Sequence, residues 1–416
     1  MDWEAAKMMC SLQFWRMAVY WTLALVYSRL YLLLLPYLSN RFPSLFRPPP
    51  PPFSRRRFSP GHQCPVRRPI CVVTGVSPSR SLLPLDPFCN SEGLFTACCW
   101  QATSGLGKAA ARALAAEGYH VLLASRSPQA LNKAVWEIKK HDPNAYVEAF
   151  QLDISSMHSI MKFECNLKQW LQDANLHPSV QLLINNAGIL AKSSRVTADG
   201  FDEMIETNYL GAFFLTNILL PLLKNSPVPS RIVNVTSFTH RCGELKTRTH
   251  HNHFSHVDQN KGILARENFH VFSSKKYCFA QIYEYSKFCT LLFSYELHRQ
   301  LYAMDSASVV SVMAADPGFV ETNIMRELPP SLRKLAFMVL GFLHLLQSPE
   351  IGVGSIIDAA LASPEASGKY FYGAKGRTIK SSPVSYDAKL SKELWLCSYE
   401  LLQECKSRIV NLSKLD

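Results

Sequence analysis

Short apolar runs alternate with longer helical patterns along most of this 416-residue chain, and this alternation constrains the fold more than any other feature. Strands that alternate with helices form a parallel sheet with helices on both faces. We therefore predict an α/β fold, a doubly wound parallel sheet in one domain over residues 69–385. The predicted strands are 70–75, 120–126, 146–153, 180–188, 231–237 and 308–318, and the predicted helices are 105–118, 128–142, 157–173, 201–222 and 282–302.

The residues that follow these strands resemble motifs of the short-chain dehydrogenase/reductase family. The match covers residues 69–380, and stretches such as NNAGIL and RIVNVTS are most similar to the retinol-dehydrogenase-like membrane reductases. It implies a Rossmann fold and a nicotinamide cofactor. Five motifs occur in the family's order: Thr74-Gly75 with Ala102–Gly107, Asn185–Gly188, Asn208, Ser237, and Tyr283-x-x-x-Lys287 followed by Pro317-Gly318.

The resemblance implies two sets of site residues. The catalytic set is Asn208, Ser237, Tyr283 and Lys287. The cofactor-binding set is Gly75, Thr103, Ser104, Gly105, Leu106, Gly107, Ser125, Arg126, Asp153, Asn185, Ala187, Gly188, Tyr283, Lys287, Pro317, Gly318 and Thr322.

The spacing of Tyr283 and Lys287 places both side chains on one face of a predicted helix. A tyrosine pKa of about 10 is too high for acid–base work near neutrality. A neighbouring ammonium group and the positive nicotinamide favour the phenolate, so we expect the pKa of Tyr283 to be lowered. In the family, the residue matching Ser237 hydrogen-bonds the substrate oxygen, and the residue matching Asn208 holds a water in the proton relay.

The glycine motif that would bind the cofactor pyrophosphate is interrupted. Joining Gly75 to Ala102 produces TGATSGLG, the family pattern, but residues 76–101 stand between them. One interpretation is a surface excursion, because long loops cost little closure entropy. The other is a retained intron, since Val76 must be encoded by GTN and Gln101 is compatible with CAG.

Cofactor choice is indicated at the end of the second strand. Ser125-Arg126 stands where an acidic residue would bind the ribose hydroxyl of NAD, and an arginine there suits the 2′-phosphate of NADP. We therefore predict NADP(H). Asp153 matches the family position beside the adenine, although an ordinary helix N-cap is the alternative.

The N-terminal segment is apolar and then basic. Residues 17–38 are long enough to span a bilayer despite Arg29, and seven arginines follow them before residue 69. This pattern favours a membrane anchor over 1–47, spanning or interfacial, with the catalytic domain facing the cytosol at the endoplasmic reticulum or an organelle. A cleaved transit peptide and a buried helix are the alternatives. A Pro/Arg-rich linker, 48–68, follows.

Charge and cysteine content exclude other classes. Residues 1–69 account for most of the net charge of +12, so the body is nearly neutral and we expect no nucleic-acid partner. The twelve cysteines show no ligand-like spacing, which favours reduced thiols and no metal site. The histidines between 250 and 256 most simply belong to a solvated loop, although a metal site is conceivable.

Two further segments are apolar on one side. The run 335–346 is too short to span a bilayer and forms either core or a lid that dips into lipid. Residues 386–416 are predicted to form a packed amphipathic helix.

These features predict a membrane-associated NADP-dependent oxidoreductase that interconverts a carbonyl and an alcohol on a lipophilic substrate: a retinoid, prenol, steroid or fatty aldehyde. A homo-oligomer is compatible with the sequence. The alternatives are a non-catalytic NADP-binding regulatory subunit of a membrane complex and, for the chain as written, a non-functional product of a misannotated gene.

Overall fold

The computed structural model describes residues 3–44, 48, 50–56, 66, 68–75, 105–243, 269, 277–304 and 310–412. The strands in these residues are β1 (Ile70–Thr74), β2 (His120–Ser125), β3 (Val147–Gln151), β4 (Leu182–Asn185), β5 (Ser230–Val235), β6 (Val310–Asp316), β7 (Phe319–Val320), β8 (Leu346–Gln347) and β9 (Tyr370–Tyr372). The helices are α1 (Trp3–Met9), α2 (Leu12–Arg41), α3 (Leu106–Ala116), α4 (Pro128–His141), α5 (Met157–Asp173), α6 (Glu203–Ile205), α7 (Gly211–Lys224), α8 (Phe279–Met304), α9 (Pro330–Phe342), α10 (Pro349–Gly352), α11 (Gly354–Leu361) and α12 (Ala388–Leu412).

The central sheet has seven parallel strands in the order β3-β2-β1-β4-β5-β6-β9. The chain builds outward from β1 to β3 and then returns to the other side of β1 to place β4, so the strand order reverses between β1 and β4. This confirms the predicted doubly wound sheet and puts the ligand crevice at the carboxyl ends of these two strands. The prediction missed β9 and the small β7–β8 pair, which have only two or three residues per strand.

Alternating residues of each strand supply two hydrophobic cores, one on each face of the sheet. In β1, Ile70 and Val72 belong to the core beneath α5, α7, α8 and α12, and Cys71 and Val73 belong to the core beneath α3, α4 and α11. Because both faces are covered, all five residues of β1 are buried. That explains the continuous apolar run in the sequence.

Serine side chains cap two of the helices, and a π-helical turn interrupts a third. Ser127 and Ser156 cap α4 and α5, each accepting a hydrogen bond from a backbone N–H of the first turn. The predicted helix 201–222 is observed as α6, a π-helical turn at Glu206–Leu210 and α7. The widened turn contains Asn208, and such turns are frequent at functional sites.

Helix α2 contains the predicted anchor and has 30 residues. By length and composition it could cross a membrane, and only 17% of its most apolar window is buried. The buried residues nevertheless lie against the body. The described part of the predicted linker also contacts the body: Phe53 N donates to Gly376 O over 2.9 Å, and Arg55 pairs with Asp358 at 2.8 Å.

The two other apolar segments, 335–346 and 386–416, differ in how much of their apolar surface is buried. In α9, Leu340 is buried but Met338 and Phe342 are 66% and 84% exposed, so this helix presents an apolar face outward. Helix α12 is packed, because the Trp395 ring lies 4.9 Å from the Phe213 ring.

Candidate active site

A pocket opens at the carboxyl ends of β1, β4, β5 and β6, and most of the predicted site residues line it. Thr103 and Ser104 lie outside the described residues. The predicted residues on the pocket surface are Gly75, Gly105, Leu106, Ser125, Arg126, Ala187, Gly188, Ser237, Tyr283, Lys287, Pro317, Gly318 and Thr322.

The two parts of the interrupted glycine motif meet in space. A Cβ built on Gly107 would lie 2.7 Å from the carbonyl oxygen of Gly75. Gly75 has a φ of +77°, and its Cβ would lie 2.5 Å from Cα of Ala187. Asn186 fastens this turn by donating from Nδ2 to Thr74 O at 2.9 Å and to Gly75 O at 3.1 Å. The intervening residues 76–101 lie outside the described part of the chain.

Asn185 is buried and is absent from the described pocket lining. Its Nδ2 donates to Thr216 Oγ1 and to Asn234 Oδ1, both at 2.8 Å, beneath the cofactor crevice. The following turn does line the pocket: a Cβ on Gly188 would lie 3.3 Å from Asn208 Oδ1 and 3.5 Å from Lys287 Nζ. Asn185 therefore supports the strand end, and Gly188 lies close to the side chains of Asn208 and Lys287.

Asn208 ties the β4 end to α8. Its Oδ1 accepts from Ile189 N at 2.7 Å, and its Nδ2 donates to Ile189 O and Ser286 Oγ, both at 3.0 Å. Its backbone oxygen accepts from Thr290 Oγ1 at 3.1 Å. The side chain thus holds the strand end and α8 together.

Tyr283 is buried on α8 at the pocket surface. Burial raises the pKa of its hydroxyl, the negative charge of Asp316 raises it further, and a hydrogen bond with Ser237 lowers it. The protein groups by themselves therefore raise the pKa of Tyr283, contrary to the expectation from sequence. The expectation counted the Lys287 ammonium and the positive nicotinamide, and it left out burial and Asp316.

Lys287 lies one turn from Tyr283, and its Nζ donates to Val235 O at 3.2 Å. Burial lowers the pKa of Lys287 to about 8, and Asp316 opposes that shift. The ammonium group can therefore exchange a proton near neutral pH.

Asp316, at the end of β6, is a site residue that the sequence analysis missed. It is fully buried, accepts from Gly318 N at 2.8 Å and from the Tyr370 hydroxyl, and has its pKa raised by burial to about 6. It shapes the turn at Pro317-Gly318 and influences the pKa values of both Tyr283 and Lys287. Its position directly before Pro317 was the available signal.

His240 is a second residue that was missed. Ser382 N donates to His240 Nε2 at 3.2 Å, so the ring proton is on Nδ1 and is donated to Ser237 O at 2.6 Å. Burial lowers the pKa of His240 to about 3, which keeps the ring neutral. The ring thereby orients the backbone of Ser237.

Ser125 and Arg126 line the pocket at the carboxyl end of β2. Arg126 Nη1 lies 3.3 Å from Glu203 Oε1, and both side chains have access to solvent. Asp153 accepts hydrogen bonds from the Ser155 N–H and hydroxyl at 3.1 and 2.7 Å, and its neighbours Leu152 and Ile154 line the pocket. The N-cap of α5 is Ser156, so Asp153 is not the helix cap that the sequence offered as the alternative.

Thr322 lies at the opposite end, where its Oγ1 accepts from Ile324 N at 3.4 Å. Among the residues that the structure describes, no group of three or more histidine, cysteine or acidic side chains could hold a metal ion. The histidines at 250–256 lie outside them.

Comparison with known proteins identifies this arrangement. The family model described as short chain dehydrogenase matches residues 96–246. Human polyprenol dehydrogenase is 36% identical over 305 residues, which cover 72% of this chain and 82% of that protein. This chain belongs to the short-chain dehydrogenase family.

Two further matches agree with this assignment to the short-chain dehydrogenases. Human retinol dehydrogenase 13 is 31% identical over 335 residues, covering 80% of this chain and 88% of that protein. A crystal structure of an uncharacterised protein from Mycobacterium paratuberculosis is 25% identical with a TM-score of 0.53, covering 82% of this chain and 97% of that one. The predicted family, its retinol-dehydrogenase-like branch and the oxidoreductase class are thus confirmed.

Proposed function

We propose that this short-chain dehydrogenase interconverts a carbonyl and an alcohol on a lipophilic substrate with NADP(H). The observation that carries the proposal is that Ser237, Tyr283 and Lys287 line one pocket together with the glycines Gly75 and Gly188.

The crevice fits a dinucleotide. Gly75 and Gly107 have no room for a Cβ, so backbone rather than side chain borders the phosphate position. Helix α3 begins at Leu106, beside that position, and a helix N-terminus attracts a pyrophosphate through its free N–H groups and dipole. When bound, NADPH supplies the hydride and the nicotinamide ring.

Arg126 favours NADP over NAD. It lines the pocket directly after β2, next to Ser125. Neither residue is acidic. Its ion pair with Glu203 is about half exposed on the arginine side. Such surface pairs contribute only about 0–1 kcal/mol, so a 2′-phosphate can compete for the guanidinium group.

The chain's own residues move the proton. In the direction of reduction, the Tyr283 hydroxyl donates a proton to the substrate oxygen, which Ser237 holds by a hydrogen bond. Lys287, with a pKa lowered to about 8 by burial, can replace that proton. Asn208 keeps α8 fixed against the end of β4 during these transfers. Oxidation runs the same steps in reverse.

The substrate end of the pocket is apolar. Prenols and retinoids are the favoured class, because the relatives are named polyprenol and retinol dehydrogenases. The apolar walls of the pocket also suit these apolar substrates. The apolar residues that line the pocket include Trp21, Phe238, Phe319, Val320 and Met325.

We propose the same division of the chain as in the sequence analysis, with 1–47 attaching it to a membrane, 48–68 as a linker, 69–385 as the catalytic unit and 386–416 as a terminal helix. The arginines after the apolar stretch favour a catalytic unit on the cytosolic side, because the anionic cytoplasmic leaflet attracts basic segments.

The test compares Tyr283→Phe with Tyr285→Phe, which changes a second tyrosine on the same helix. With NADPH and a prenal or retinal, Tyr283→Phe should lower kcat/KM by about 10²–10⁴-fold, because general acid catalysis contributes about that much. NADPH affinity should stay the same, and Tyr285→Phe should retain turnover. A purified chain that binds NADPH without Tyr283-dependent turnover would instead be the regulatory subunit.

A further inference from the structure

One face of α2 is buried against the catalytic body. The buried residues Met17, Trp21, Ala24, Leu25 and Ser28 recur every three or four positions, so they form a single stripe along the helix. Other apolar side chains of the helix are exposed, including Val19 at 50%, Leu23 at 57% and Leu30 at 47%. A stripe of this kind indicates a specific docked orientation.

A buried carboxylate holds this helix in place. The side chain of Glu284 is 0% exposed and accepts hydrogen bonds from Arg16 at 2.8 and 3.2 Å and from Trp21 Nε1 at 2.8 Å. All three contacts join residues more than 260 positions apart. Because a buried carboxylate is costly to leave unpaired, the contact with α2 satisfies a group that would otherwise destabilise α8.

Glu284 directly follows Tyr283, so its contacts bring α2 to the catalytic centre. The Trp21 ring lies 5.7 Å from the Tyr283 ring, and Trp21 lines the pocket with Ser237 and Lys287. Among the pocket residues that the structure describes, Trp21 is the one that comes from the N-terminal segment.

The docked stretch and a membrane span cannot coexist. Contacts with the body extend from Arg16 at Glu284 to Ser28 at Arg241 and Leu32 beside Gly373. Only nine residues of α2 follow Leu32, about 14 Å of helix, whereas a span requires about 30 Å.

We propose that α2 forms one wall of the substrate pocket and that Trp21 contacts the lipophilic substrate, so that α2 lies on the catalytic body instead of crossing the bilayer. This inference rests on the proposed function for its substrate and on the contacts above for its geometry. The exposed apolar face of α2 is then free to lie in the membrane interface.

The kinetic test uses the full-length protein in detergent with NADPH and two aldehydes, a long prenal and a short one. Trp21→Ala should raise KM and lower kcat/KM for the long prenal by about tenfold or more, with a much smaller effect on the short aldehyde and unchanged NADPH affinity. Trp21→Phe should keep much of the kcat/KM for the long prenal that Trp21→Ala loses. The matched control is Leu23→Ala on the exposed face of α2, which should stay within about twofold of the unmodified protein. Equal kinetics for Trp21→Ala and Leu23→Ala would overturn the assignment of Trp21.

A second measurement does not depend on turnover. Tags are placed at Met1 and at Asp416, and sealed membrane vesicles carrying the full chain are treated with protease. A docked α2 leaves both tags on the same side, so both are cleaved or both protected; opposite sides would refute the proposal. A same-side result without Tyr283-dependent turnover would support the docked helix while rejecting the proposed function.

Discussion

Three glycine-to-alanine variants test whether the glycine motif is assembled despite residues 76–101. Gly118 has a φ of +90° and nothing within 4 Å of a built Cβ, so Gly118→Ala introduces strain alone. In Gly107→Ala the added Cβ would meet Gly75 O at 2.7 Å, with no positive φ. Gly75→Ala combines a φ of +77° with a 2.5 Å approach to Ala187 Cα.

The expected losses of unfolding free energy differ accordingly. Left-handed strain costs about 1–2 kcal/mol, which is the expectation for Gly118→Ala. Overpacking costs about 1–3 kcal/mol, and replacing glycine by alanine within a helix returns up to about 1 kcal/mol, so Gly107→Ala should still destabilise. Gly75→Ala carries both penalties, for a loss of about 2–5 kcal/mol.

The assay is urea denaturation of each variant, with NADPH binding measured by fluorescence. Gly75→Ala and Gly107→Ala should also bind NADPH more weakly, whereas Gly118→Ala, away from the pocket, should bind it normally. The direction in which Gly107→Ala changes the free energy of unfolding is decisive. If residues 76–101 kept the two parts of the motif apart, that variant would gain helix propensity and become more stable, which would refute the assembled turn.

The remaining predictions concern the cofactor, the interruption and the pH dependence. Arg126→Asp should shift the preference from NADPH toward NADH, measured as the ratio of the two kcat/KM values; a protein that already prefers NADH would contradict the NADP assignment. Deleting residues 76–101 should strengthen NADP binding and raise the Tm, because the flanking turn then closes directly; weaker binding would make the segment part of the site. Burial raises the pKa of Asp316 to about 6 from 3.8, so the folded state holds this proton more tightly than the unfolded state. The stability it contributes is therefore present below about pH 4 and lost as the pH rises through about 6. Asp316→Asn should abolish that decline in urea denaturation, and it should move the limb of the kcat/KM profile governed by Lys287 to lower pH, since a charge that raises the pKa of Lys287 is gone; unchanged profiles would remove Asp316 from this role.

The sequence alone was sufficient for features that depend on local pattern. Strands buried on both faces must be continuously apolar, so β1 and β4 were recognisable without any knowledge of their neighbours. Tyr283 and Lys287 share a helix face because of a fixed spacing of four residues. Ser237 was named as a site residue only through the resemblance, because the ordered motifs led to the family.

Other features depend on contacts that no local pattern specifies. The three residues of β9 are a strand only because β6 offers them partners. Asp316 affects Tyr283 and Lys287 because all three are buried together, and burial raises the pKa of Tyr283, which no local pattern announces. The apolar residues 17–38 satisfy the requirements of a membrane span and of a docked helix equally well. Only the packing of Arg16 and Trp21 against Glu284 distinguishes the two, because a buried carboxylate more than 260 residues away must find its partners in three dimensions.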